Sequence, residues 1–330
     1  MKKIDPFLMM LIGAVLLASF FPCPPAAQPW MSRLSTLLIT LMFFFQGAKL
    51  ERHAIIESLQ DWRLQGGTLF ASFVLFPLLG FALYLLCHAL FANGVVNSEL
   101  WVGILFLCCL PSTVQSSIAL TSIARGNVPA AICSATASNI LGIFFTPLLS
   151  GLLLHRSDSG SGLETILEVS RELLLPFIAG QLVQKWIGPI VHRHKVLLSF
   201  TDRGSIIVLV YAAFSTAVLQ GLWKRIPLID LGKVALLDTI LLFVLLCTTY
   251  MLGRLLGQSK ENEIALQFCG SKKSLATGIP MASVIFPTGA GIIVIPLMIY
   301  HQIQLFICTV LARHYAARPV EPNETPLKKH

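Results

Sequence analysis

The sequence predicts an all-α integral membrane protein with ten transmembrane helices, and three observations carry that prediction. Of 330 residues, 55% are hydrophobic and 12% are charged, and mean hydropathy is +0.77. A soluble domain carries about 25% charged residues, so a soluble fold of this length would lack the polar surface to cover itself. The apolar residues also fall in long runs joined by brief polar connections. Finally, Lys272 and Lys273 interrupt the apolar run 264–286. At roughly 1.5 Å rise per residue they lie near the middle of a bilayer. A charge there costs about 2.5–3.5 kcal/mol on insertion scales, so it must face a polar cavity or a partner.

The first span, 6–21, follows the basic start Lys2-Lys3. It also reads as a secretory signal with small residues at Ala26 and Ala27, but every later segment is equally membrane-like. The second, 34–48, runs into Phe45-Gln-Gly-Ala-Lys-Leu50, and the third, 64–90, is long enough to require tilt or bending. The fourth, 101–123, holds Pro111-Ser-Thr-Val-Gln-Ser-Ser-Ile-Ala119, whose proline weakens a continuous helix. In the fifth, 128–154, the small residues from Ala130 to Ala137 permit close helix packing. The sixth and seventh are 165–186 and 204–223, and the eighth, 232–256, buries one acid, Asp238. The ninth, 263–285, carries Gly270-Ser-Lys-Lys-Ser-Leu-Ala-Thr-Gly-Ile-Pro280, a glycine, serine and proline mixture that breaks a helix. The tenth, 288–312, holds the unusually polar His301, Gln302 and Gln304. The Pro-rich tail 314–330 reads as disordered.

Charge tests the topology. With the N-terminus inside, sixteen basic residues fall on inner segments and five (Arg33, Arg156, Lys224, Arg225 and Lys233) on outer ones. This fits cytoplasmic termini under the positive-inside rule. The net charge of +8 therefore reflects topology rather than nucleic-acid binding. Most of the eight cysteines lie in apolar runs without metal-ligand spacing, as free thiols packed like small hydrophobes.

The spans divide into two sets of five, residues 1–155 and 156–313. Ser116-Ser-Ile-Ala119 and Lys273-Ser-Leu-Ala276 both fall on the penultimate span of their half. An odd number of spans per repeat forces opposite orientations, the inverted-repeat design of secondary transporters.

Four stretches carry a resemblance: Ala124-Arg-Gly-Asn-Val128, Phe268-Cys-Gly-Ser-Lys-Lys-Ser-Leu-Ala276, the end of span two, and Pro296-Leu-Met-Ile-Tyr-His-Gln-Ile-Gln304. Over about residues 5–315 the chain resembles the bile acid:sodium symporter superfamily. Within it, the chain is similar to a bacterial branch near the orphan seventh member of solute carrier family 10. The resemblance implies a panel domain (spans 1, 2, 6 and 7) beside a core domain (spans 3–5 and 8–10), in which broken spans four and nine cross. It implies a multi-pass protein of a bacterial inner membrane. It also implies a sodium site, but this sequence departs from its pattern. The family's glutamate, glutamine and asparagine fall on Phe268, Lys272 and Lys273. Its serine–asparagine pair falls on Ser116 and Ser117, and two hydroxyl ligands on Ala131 and Ala135.

An ammonium carries the same charge as sodium, so Lys272 or Lys273 can stand where a cation would bind. A lysine that loses its proton in one conformation and regains it in the other would couple transport to protons. The bland alternative is an ion pair with Asp238 or Glu172. The candidate binding residues are Lys272, Lys273, Ser271, Ser274, Gln115, Ser116, Ser117, Asn139 and His301, around a small organic anion attracted by a nearby half-helix N-terminus. No resident cofactor is expected; sodium or a proton is the coupling ion, and membrane lipid surrounds the chain. No His-Glu-x-x-His, Gly-x-Ser-x-Gly or intramembrane aspartate pair supports an enzyme. A sensor on a transporter scaffold, affecting cation homeostasis, is the other reading.

Overall fold

The computed structural model describes residues 6–49, 62–90, 95–154, 162–193, 195–287 and 289–318. Lys2, Lys3, Arg52, Arg156, Lys328 and Lys329, which entered the charge count, lie outside the described residues, as does the tail from residue 319.

The described residues form helices and no strand. In chain order they are α1 (Pro6–Phe20), α2 (Gln28–Lys49), α3 (Trp62–Leu90), α4 (Ser98–Cys109), α5 (Val114–Ile123), α6 (Val128–Leu154) and α7 (Gly162–Leu182). Next come α8 (Gln184–Arg193), α9 (Lys195–Leu219), α10 (Leu228–Leu255), α11 (Lys260–Ser271), α12 (Leu275–Ile285) and α13 (Ala290–Ala316). Each expected segment coincides with one helix or one broken helix. Among the described residues six helices are long and apolar enough to cross a membrane, and the α4–α5 pair, bent by 63°, makes a seventh when taken as one span. The other expected crossings are built from shorter, more polar or interrupted helices.

Local chemistry explains the boundaries. Pro29 in the first turn lets α2 begin at Gln28 rather than at 34, because its missing N–H has no helical partner there. Gly221, at φ 86°, adopts the left-handed conformation and ends α9 before the expected 223. Asn97 caps α4 by accepting from Glu99 N at 2.9 Å, and Ser259 caps α11 by accepting from Asn262 N at 3.3 Å. The last helix continues through Ala316, so the expected tail starts within it.

Packing is close wherever glycines face backbone. Gly47 of α2 abuts the Phe177 carbonyl and Gly180 of α7 abuts the Phe44 carbonyl, so these helices approach backbone to backbone. At the N-terminal end of α11, Arg318 donates to Ala124 O at 3.1 Å, Arg125 O at 2.9 Å and Glu261 Oε1 at 2.9 Å. Asn127 Nδ2 donates to Asn262 Oδ1 at 2.8 Å. The 124–128 stretch is thus tied to the start of α11.

Candidate functional site

Both predicted breaks are present, and they meet. Leu110 (φ −73°, ψ 155°) is extended because it precedes Pro111, which ends α4. The second break falls on Lys272–Ser274 themselves, extended at Lys272 (φ −102°, ψ 149°) and Ser274 (φ −84°, ψ 110°). Gly270 is still helical and lies close to the Ala71 methyl, and Pro280 sits inside α12. Those two residues therefore serve packing rather than the interruption. Ser274 N donates to Pro111 O at 2.9 Å, joining the two breaks backbone to backbone. Gly142 of α6 faces the Pro111 ring so closely that a Cβ would lie 2.5 Å from it.

A broken helix leaves carbonyls without helical donors, and each must find a partner. Here Leu107 O accepts from Leu110 N at 3.3 Å, and Cys109 O accepts from Thr146 Oγ1 at 2.9 Å. Ser112 N donates to Ser138 Oγ at 3.0 Å. Cys108 O and Leu110 O remain, and both accept from the Lys273 ammonium, at 2.9 and 2.5 Å.

The third acceptor of Lys273 is Ser72 O, at 2.9 Å. It comes from a π-helical stretch of α3, Ala71–Leu75, where Phe76 N donates to Ala71 O, five residues back. The next donor in that register would be residue 77, aimed at Ser72 O, but Pro77 has no N–H. The freed carbonyl goes to Lys273. An ammonium has three donors and no acceptor, so all of Lys273's hydrogen-bonding capacity is met by three backbone oxygens. The Phe76 ring, with its centroid 4.1 Å from Nζ, covers the charge. Gln304 holds the same residue's backbone: its Oε1 accepts from Lys273 N and its Nε2 donates to Lys273 O, each at 3.0 Å.

Lys272 is equally enclosed but its Nζ has no hydrogen-bond partner. Its nearest aromatic face is Phe268, centroid 5.9 Å away. Neither oxygen of the buried Asp238 bonds to a partner, so the Lys–Asp238 ion pair weighed as the alternative is not made. Glu172 lies elsewhere, in the lining of a cavity beside α2.

The other predicted residues divide. Ser274 Oγ accepts from Thr277 N at 3.2 Å and caps α12, and Thr277 Oγ1 donates to Asn139 Oδ1 at 2.9 Å, linking Asn139 to the break. Ser117 Oγ donates to Phe268 O at 3.3 Å, tying α5 to α11. Ser271 Oγ donates to Gln267 O within its own helix. His301 Nδ1 sits 2.9 Å from Gln304 Nε2, behind the break rather than at it. Ser116 bonds only weakly to Thr113, at 3.5 Å. Gln115 is exposed in the first turn of α5. The direction a helix turns its side chains past a break is not set by spacing within the helix. Sequence reasoning missed Ser72, Phe76 and Tyr300, whose hydroxyl donates to Ser271 O at 2.8 Å. Pro77 was the available signal for Ser72.

Sodium does not fit this chain by the family's scheme. Ala131 and Ala135 pack with Ala265 and Cys269 in an enclosed apolar cluster, where a hard cation would need oxygen ligands.

A separate cavity of about 690 Å³ lies between α2, α7 and α9 on one side and α12 with the start of α13 on the other.

A bundle of apolar helices, two of them interrupted and joined at their breaks, defines a multi-pass membrane protein. The chain belongs to the SBF-like CPA transporter family, whose model matches residues 5–317. It is 51% identical over 316 residues to an uncharacterized protein of Pseudomonas aeruginosa, covering 95% of this chain and 93% of that one. YfeH of Escherichia coli, a protein named as a symporter, is 47% identical over 315 residues, 95% of this chain and 93% of its own. Sodium/bile acid cotransporter 7 of Danio rerio is 26% identical over 317 residues, 91% of each chain.

Proposed function

We propose that the chain is a secondary active transporter that moves a small solute by alternating access, with the Lys273 ammonium permanently filling the seat of a coupling cation. The carbonyl cage around Lys273 carries this reading: three backbone oxygens freed by two helix irregularities converge on one positive charge. A dissociable cation is thereby replaced by one built into the chain. The coupling ion is then a proton, carried by Lys272, the amine to which no acceptor is offered. The architecture is ten crossings in two inverted five-helix repeats, residues 1–155 and 156–313, divided into panel and core. The setting is a bacterial inner membrane with both termini cytoplasmic. A small organic anion was expected near a half-helix N-terminus, beside the lysines. The lysines themselves offer such an anion no exposed ammonium, because Lys273 is committed to carbonyls and both amines are enclosed.

The test uses proteoliposomes containing a pH-sensitive dye, challenged with small carboxylates, amines and sugars with and without sodium. Solute-driven proton movement in the wild type and its loss in Lys272→Met support the proposal. Sodium-dependent uptake, or unchanged proton movement in Lys272→Met, overturns proton coupling through Lys272. Binding without any uptake favours the sensor reading.

A further inference from the structure

The 690 Å³ cavity has a lining that selects for charge. Its one ionisable oxygen acid is Glu172, and no lysine, arginine or histidine among the described residues lines it. Four of its six hydroxyls have their hydrogens committed. Thr36 Oγ1 donates to Ser32 O at 3.2 Å, Thr40 Oγ1 to Thr36 O at 2.8 Å, Thr216 Oγ1 to Ala212 O at 3.2 Å and Ser283 Oγ to Ile279 O at 3.1 Å. A hydroxyl whose hydrogen is bound to its own helix can offer an incoming molecule only its lone pairs. The cavity therefore presents mainly acceptors and one negative charge. Gln28, whose amide both donates and accepts, and the serines Ser32 and Ser35 complete the polar lining, and the rest of the wall is largely apolar, with Met31, Ile39, Leu209 and Val284 among its residues. A volume of this size suits an organic body rather than a bare ion.

We propose that this cavity binds a small protonated organic amine, its N–H groups donating to the threonine and serine oxygens and its charge facing Glu172. An anion would meet the Glu172 carboxylate with no compensating cation in the lining. Calling the amine a substrate rests on the transporter reading; the binding itself does not.

The full-length protein is purified in detergent, and binding is measured by calorimetry and thermal shift. The probes are ethanolamine, putrescine and glucosamine, with lactate, taurocholate, glucose and sodium chloride as comparisons. At least one amine binds in preference to the carboxylates and to glucose, and Glu172→Gln weakens it by about tenfold or more. Thr216→Val, a near-isosteric change remote from the charge, weakens it by about threefold and keeps the fold measurable if Glu172→Gln does not. Tighter binding of carboxylates, of glucose or of sodium ions alone, or no amine binding at all, overturns the proposal. So does amine affinity unchanged in both variants. Amine binding that persists while proteoliposome uptake fails leaves this site standing and removes only the transport reading.

Discussion

The ammonium of Lys273 sits 2.9 Å from the carbonyl of Ser72, an oxygen that has no helical donor because residue 77 is proline. Two irregularities distant in sequence, a π-turn in α3 and a break in α4, are completed by one side chain from a third helix.

The two lysines therefore differ in their worth to stability. Lys273→Met orphans three buried carbonyls, and at about 1–3 kcal/mol for each unsatisfied group it destabilises the protein by about 3 kcal/mol or more. Lys272→Met removes a buried amine without a partner and is neutral or stabilising, within about 1 kcal/mol. Thermal unfolding followed by tryptophan fluorescence separates them. Equal losses in both variants would contradict the cage.

Pro77→Ala restores an N–H aimed at Ser72 O, competing with Lys273. The cost of Lys273→Met is then smaller in the Pro77→Ala background, because one of the three carbonyls is no longer orphaned. A double-mutant cycle measures this coupling, expected at about 1 kcal/mol for residues sharing one acceptor.

Gln304→Leu strips both backbone partners from Lys273 in a buried site. The expected loss is about 2–4 kcal/mol, from one orphaned N–H and one orphaned C=O. His301→Ala, one step further from the break, costs less than Gln304→Leu when the two are compared by thermal unfolding.

The apolar packing of Ala131, Ala135, Ala265 and Cys269 predicts indifference to sodium. A ligand bound only by the folded state raises apparent stability with its concentration. Exchanging sodium chloride for choline chloride at constant ionic strength leaves the unfolding temperature unchanged. A sodium-dependent rise would restore a sodium site.

Much of this was legible beforehand, because bilayer physics constrains sequence strongly. Ten segments were marked by runs of apolar residues, and both breaks were placed within the right segments by Pro111 and by the lysines themselves. The partners were not. Ser72 is an ordinary serine whose contribution is its backbone oxygen, and a carbonyl leaves no trace in residue type except through the proline that frees it. Lys272 and Lys273 were indistinguishable as neighbours. Their difference arises from an extended backbone that sends one toward α3 and α4 and leaves the other unpartnered. The cavity at Glu172 left little trace in the sequence, because its hydroxyls are scattered over three helices, α2, α9 and α12, and its carboxylate lies on a fourth.

A cation that belongs to the polypeptide cannot be left behind on either side. On the cycle proposed above, a seat filled by Lys273 keeps its elementary charge through both strokes. Any part of the membrane field that this seat traverses then acts on the empty return as well, at about 2.3 kcal/mol per 100 mV for a full crossing. Membrane voltage, rather than the salinity outside, would set the pace of the unloaded step.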